Sequence, residues 1–311
     1  MPNVGFVSDQ SPPCQLCVTC RAKLNLWLRV LRRRPDGYHN IESVACIISL
    51  ADTLAISPAR SIALTCTGMP AGDDRRNLAL RAAQAFAARA SAISGRPISQ
   101  YGAHLALQKR IPPEAGLGGG SSDAAGALLG LNKVYESVLP QQEVVALAAG
   151  LGSDVPLFLA GAPGCLMRGR GEVLAPVPIA PFWAVVVKPP FGVSTAWAYA
   201  NCTPASGGPG PDDLLSALAS GNIERASMLL HNDLEQPAIA AHPEIARIKQ
   251  ALLDAGTMGA MMTGSGSAVF GFAPDQGRAE AIAVQMADAG LGFAVAASSA
   301  PCGLEVADGT A

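Results

Sequence analysis

Apolar and other residues alternate from Lys23 along LNLWLRVL, the two-residue period of a β-strand. RRRPDGYH breaks the alternation, with Pro35-Asp36-Gly37 a strong turn signal, and SVACIISL resumes it. The pair predicts a β-hairpin. Residues 1–20, interrupted by Pro12-Pro13, are expected to be an irregular extension. Alanine-rich spacing predicts a helix over 77–92, alternation predicts a strand over 102–108, and apolar residues at helical intervals predict a helix over 122–135. A short helix follows over 141–151, then strands around 164–167 and 183–187. The Thr-Pro-Ala-Ser-Gly-Gly-Pro-Gly-Pro stretch after Cys202 reads as a flexible surface loop. Beyond it the pattern predicts helices over 213–220, 223–230 and 243–255, a strand over 261–273, a helix over 276–289 and a strand over 292–297.

Helix and strand patterns are mixed throughout, so an α+β protein is expected. Glycine and proline crowd together between about 160 and 180, which places a boundary between two domains there. The expected division is 21–170 and 171–311 after the extension.

Half of the 311 residues are hydrophobic and 15% are charged, enough apolar material for a sizeable core. A net charge of −2 gives no field to attract nucleic acid or an anionic membrane. No uninterrupted apolar stretch reaches transmembrane length, and MPNVGFVSDQSPPC lacks the basic start and apolar centre of a signal peptide. A cytoplasmic protein that is a monomer or homodimer is expected. Cys14, Cys17 and Cys20 form a C-x-x-C-x-x-C run without a second close pair to complete a metal site. No metal ligands are assigned.

The chemistry concentrates in RIPPEAGLGGGSSDAA, which joins a predicted strand to a predicted helix. That junction aims backbone N–H groups and the positive helix end at an anion. Glycines allow the main chain to approach it closely. A P-loop would end in Gly-Lys-Ser/Thr; here Gly118-Gly119-Gly120 runs directly into Ser121, Ser122 and Asp123, so the positive charge must come from elsewhere. The serines and the aspartate are also ordinary capping residues, and a merely capped helix is the competing reading.

PPEAGLGGGSSDAA resembles the phosphate-binding motif of the GHMP kinases, in which Pro112, Gly116, Leu117 and Gly118 to Ser122 find their places. AKLNLWLRVLRRRPDGYH, LGSDVPLFLAGAPGCLMRGRGEVL and MMTGSGSAVFGF are similar, in that order, to the segments of the GHMP branch that phosphorylates 4-diphosphocytidyl-2-C-methylerythritol. The Asp-Gly-Tyr-His element distinguishes that branch. The resemblance implies a GHMP kinase fold, with an N-terminal domain like ribosomal protein S5 domain 2 and a ferredoxin-like C-terminal domain. It also implies ATP and Mg²⁺, and a small-molecule substrate carrying a cytidine diphosphate group.

Residue by residue, the resemblance implies that Asp154 takes the hydroxyl proton and that Lys23 supplies the cation beside the transferred phosphoryl group. It implies that Asn25 orients substrate hydroxyls, that Tyr38 stacks on cytosine and that the His39 main chain reads its edge. Thr195 is expected on substrate, Asn77 and Lys109 at the nucleotide, and Gly264, Ser265 and Gly266 in a second loop facing the cleft. From the residues alone, Asp154 can equally cap the helix that Val155-Pro156 begins. Asn77 and Lys109 can equally be plain surface residues, and Lys23 a solvated charge. Two other functions stay open: a GHMP kinase for another small alcohol, and a catalytically silent ligand sensor of the same fold.

Overall fold

The computed structural model describes residues 15–70, 77–204 and 210–308. The predicted hairpin is its spine. Strand β1 (Leu16–Arg33) pairs antiparallel with β2 (His39–Pro58) along nearly their whole length. They belong to an eight-stranded sheet with the path β12-β1-β2-β4-β3, where β3 is Ala63–Gly68, β4 Ala103–Lys109 and β12 Leu304–Asp308. Strands β5 (Gly164–Gly169), β6 (Val173–Pro176) and the short β8 (His231–Asn232) complete it beside β2 and β1.

The first strand begins at Leu16, inside the stretch expected to be irregular. Leu16, Val18 and Cys20 all bury one face. Cysteine reads as a break in an apolar alternation, yet it packs as a small hydrophobe. What it packs on is α2 (Gly119–Val134), where a side chain on Gly126 would strike Cys20, and one on Gly130 would strike Ile56 and Val18. Two glycines one turn apart thus let the helix lie flat on the sheet. Cys14 lies outside the described residues, and no cluster able to hold a metal occurs among the described ones.

A second sheet has four antiparallel strands in the order β11-β7-β10-β9: β7 is Trp183–Lys188, β9 Met258–Met262, β10 Val269–Ala273 and β11 Phe293–Ser298. In chain order this is 4-1-3-2, the ferredoxin-like arrangement. The strand expected over 261–273 is therefore two strands, β9 and β10, turned by the glycines between them. The C-terminal strand β12 returns to the first sheet, so 171–311 is not one separate unit.

The period of two in β2 divides the core. Ala45 and Ile47 face helices α1 (Leu78–Ser94), α2, α3 (Gln141–Leu151) and α4 (Val155–Leu159), packing with Phe86, Leu128 and Phe158. Val44, Cys46 and Ile48 face the second sheet and meet Phe182, Phe270 and Phe272. The far side of that sheet carries Val185, Val187 and Val269 against α9 (Glu244–Asp254) and α10 (Gln276–Asp288). A hairpin buried on both faces reads as a nearly continuous apolar run, and Lys23 and Asn25 stand out in it as polar residues at core positions.

Candidate active site

Lys23 and Asn25 project from β1 into a cleft of about 1140 Å³ that both glycine loops border. The first loop closes onto β1 through the N–H of Lys23 and the carbonyl of Leu117, 2.9 Å apart. Gly116 and Gly118 take the left-handed conformation, with φ of 74° and 72°. The helix starts at Gly119, earlier than its apolar spacing predicts, because Gly118 serves as its N-cap. The N–H groups of Gly119, Gly120 and Ser121 consequently lie in the first turn and lack an intrahelical acceptor. Ser121 lines the cleft. Ser122 does not: its side chain is fully buried and its hydroxyl has no hydrogen-bond partner among the described residues.

Lys23 supplies the charge that the loop lacks. Its ammonium donates to the Gly116 carbonyl at 2.6 Å and to the Asn25 side-chain oxygen, and stands 3.7 Å from the Asp154 carboxylate. Burial pulls its pKa below the usual lysine value, partly offset by the neighbouring Asp154. Asp154 occupies the N-cap position of α4, but its side chain makes no capping hydrogen bond. The carboxylate is instead 37% exposed, open to the cleft. The side chain therefore does not cap α4.

Asn25 is committed on both sides. Its amide nitrogen donates to Ser43 Oγ at 2.8 Å, while its oxygen receives Lys23. It holds Lys23 in place while lining the cleft. Its backbone N–H donates to Thr263 Oγ1 at 2.9 Å, which brings in the second loop. Gly264 lies so close that a Cβ there would come within 3.1 Å of both Lys23 and Asn25. Asn232, which carries no sequence signal, fixes that loop by donating to the carbonyls of Met262 and Gly264 at 2.7 and 2.9 Å. Ser265 meets Thr195, hydroxyl to hydroxyl, at 3.0 Å.

Lys109 lines the cleft beside the glycine loop but is not a surface residue. It is 7% exposed and its ammonium bridges Asp52 and Asp123, the latter at 2.7 Å. Asp52 also accepts from the backbone N–H of Arg110 and Ile111, at 2.6 and 2.8 Å. One ammonium cannot neutralise two buried carboxylates, so burial pushes Asp123 up to about 7 despite Lys109. Burial alone would lower Lys109, but the two aspartates outweigh it and the net shift is upward. This triad ties the strand before the glycine loop to the helix after it. Asn77 borders the cleft, but its side-chain oxygen caps α1 by accepting from Ala79 and Leu80.

At the other end of the cleft Tyr38 is 53% exposed, held on a turn closed by the Arg34 N–H and the Tyr38 carbonyl at 2.7 Å. The His39 ring stacks on Tyr199, with centroids 5.5 Å apart. Tyr199 falls one turn after Thr195 on α5 (Thr195–Ala200), a spacing visible only once the helix is known.

Residues 77–162 match the GHMP kinases N terminal domain, and residues 214–291 the GHMP kinases C terminal domain. The 4-diphosphocytidyl-2-C-methyl-D-erythritol kinase of Symbiobacterium thermophilum is 44% identical over 83% of this chain and 91% of its own. That of Gloeobacter violaceus is 39% identical over 86% and 88%. A crystal structure of 4-(cytidine 5'-diphospho)-2C-methyl-D-erythritol kinase superposes with a TM-score of 0.74 at 38% identity, covering 90% of this chain and 97% of that one. Homoserine kinase from Cytophaga hutchinsonii, at 17% identity and a TM-score of 0.69 over 98% of this chain and 100% of that one, shares the fold. No helix among the described residues is long and apolar enough to cross a membrane.

Proposed function

This chain belongs to the 4-diphosphocytidyl-2-C-methyl-D-erythritol kinases of the GHMP kinase superfamily, and we propose that it performs their reaction in the cleft between its two glycine loops. The γ-phosphoryl group of ATP passes to the 2-hydroxyl of 4-diphosphocytidyl-2-C-methyl-D-erythritol, giving the 2-phosphate and ADP, a step of the methylerythritol phosphate route to isoprenoid precursors. The observation that carries the reading is the Lys23–Asp154 pair, 3.7 Å apart beside the start of the glycine-loop helix.

Phosphoryl transfer asks mainly for positioning and for positive charge around the phosphate oxygens. The N–H groups of the Gly119–Ser121 turn and the helix dipole receive the triphosphate. Lys23, locked by Asn25 and the Gly116 carbonyl, offsets the charge that grows on the transferred group. Asp154, uncommitted to capping, accepts the proton of the attacking hydroxyl. Tyr38 offers its ring to cytosine, and the His39 main chain and Thr195 border the same substrate.

The donor set fits Mg²⁺. That ion keeps several waters and takes one or two protein oxygens together with substrate phosphates. The Ser121 hydroxyl is a cleft-lining oxygen of that kind, and it would hold the ion together with the phosphates, leaving Asp154 free as the base. When bound, Mg²⁺ neutralises the phosphate oxygens. Cytoplasmic location is part of the same proposal.

The test is an ADP-release assay with ATP, Mg²⁺ and the cytidine compound, run beside homoserine, mevalonate and galactose. Turnover with the cytidine compound alone is expected. Turnover with another alcohol and none with the cytidine compound, or no turnover at all, overturns the assignment.

A further inference from the structure

The turn Arg170-Gly171-Glu172, between β5 and β6, lies outside the chemistry assigned above, yet it reaches the far end of the cleft. Arg170 sits at its tip, and its guanidinium lies over the Tyr38 ring, 4.9 Å from the centroid. Both residues line the cleft. Tyr38 is exposed and stands on a turn, so its own neighbours in sequence do little to fix the ring.

Arg170 is itself held. Glu172 accepts from the Arg170 backbone N–H at 2.6 Å, and its carboxylate stands 3.9 Å from the Arg170 side chain. Gly169 and Gly171 flank it at φ of 72° and 125°, which turns the chain tightly enough for the arginine to point back at the β1–β2 turn. A side chain on Gly171 would contact Ser153, the residue before Asp154. The turn therefore packs against the segment that carries the proposed base while its arginine covers the proposed base platform.

From this geometry we infer that Arg170 is a positioning residue for substrate recognition, holding Tyr38 as a preset stacking surface for the nucleobase of the acceptor substrate. One face of the ring is taken by the guanidinium, and the opposite face is left for the base. Holding the ring in advance removes part of the ordering cost that binding otherwise incurs. The cation also polarises the ring it covers. Arg170 acts through Tyr38, so its contribution disappears when the ring does. The inference rests on the reading of Tyr38 given above.

A double-mutant cycle in the steady-state assay tests it, with Tyr38→Leu, Arg170→Gln and the double variant. Arg170→Gln is expected to raise KM for the cytidine substrate about two- to five-fold, the size of one partly exposed cation–π contact. KM for ATP should move far less, and Arg170→Lys, which keeps a cation over the ring, should recover part of the loss. In the Tyr38→Leu background, Arg170→Gln should add nothing. Full additivity overturns the inference, since Arg170 would then touch the substrate independently. An unchanged KM in Arg170→Gln, with Tyr38→Leu raising it, also overturns it. An unchanged KM in Tyr38→Leu would instead remove the underlying reading of Tyr38.

Discussion

Replacing Lys109 by Met distinguishes a nucleotide ligand from a structural cation. The ammonium sits between two carboxylates that are 0% and 2% exposed, and bridges them across the start of the glycine loop. Without it, those carboxylates face each other in a site where burial, with Asp52 adding to it, already holds Asp123 near 7 even against the pull of Lys109. The folded chain escapes by taking up one further proton. An unfolded carboxyl titrates near 3.9 and one pKa unit is worth about 1.36 kcal/mol, so that proton costs about 4 kcal/mol at pH 7 and about 1.5 kcal/mol at pH 5. The first figure agrees with the roughly 3–5 kcal/mol typical when one partner of a buried ion pair is removed. Lys109→Met should therefore lose about 4 kcal/mol of unfolding free energy in urea at pH 7, and markedly less at pH 5. Restoring neutrality with Asp52→Asn and Asp123→Asn in the same chain should recover much of it. A loss below about 1 kcal/mol, or one equal at both pH values, refutes the structural reading. A stable variant with a raised KM for ATP would put Lys109 back at the nucleotide.

Asp154→Asn should lower kcat about 10²- to 10⁴-fold, the usual span for a lost acid–base group. The melting temperature should barely change, because this side chain caps nothing; a large fall in stability would return Asp154 to the helix. Gly116→Ala forces φ of 74° on a residue with a Cβ and drives that carbon into the Thr263 carbonyl. The backbone term alone costs about 1–2 kcal/mol, and activity should fall further as the two glycine loops separate; wild-type kcat and stability would disprove the contact. A buried carboxyl whose pKa is raised binds its proton more tightly in the folded chain than in the unfolded one. Stability should hence fall as pH rises from about 4, the unfolded value, to about 7, where Asp123 loses its proton. Chemical denaturation across that range should show a flatter slope for Asp123→Asn, and an identical slope would exclude Asp123 as its source.

The residues of the first glycine loop were legible in the chain, because strand, glycine run and helix follow one another without a gap and the chemistry is local. The β1–β2 hairpin was legible for the same reason, since its turn residues and alternation are neighbours in sequence. Family motifs pointed to Lys23 and Asp154, but their spacing could not say whether Asp154 caps α4 or faces the cleft. That depends on where a segment 131 residues from Lys23 comes to rest.

Local pattern also misplaced residues whose surroundings are assembled from afar. Cys17 and Cys20 looked like part of a loose tail and lie in the start of β1, where Gly126 and Gly130 of a distant helix leave room for Leu16, Val18 and Cys20. Lys109 looked exposed, as most lysines are, until Asp52 and Asp123 were brought to either side. Asn232 offered no motif of its own, and Arg170 stood at an unspecified position inside a family segment. The chain by itself determined most of the longer strands and helices, which loop can cradle a phosphate and which family it belongs to. The tertiary structure alone decided which face each buried charge meets, since burial and partner are properties of the packed layers and of no single segment.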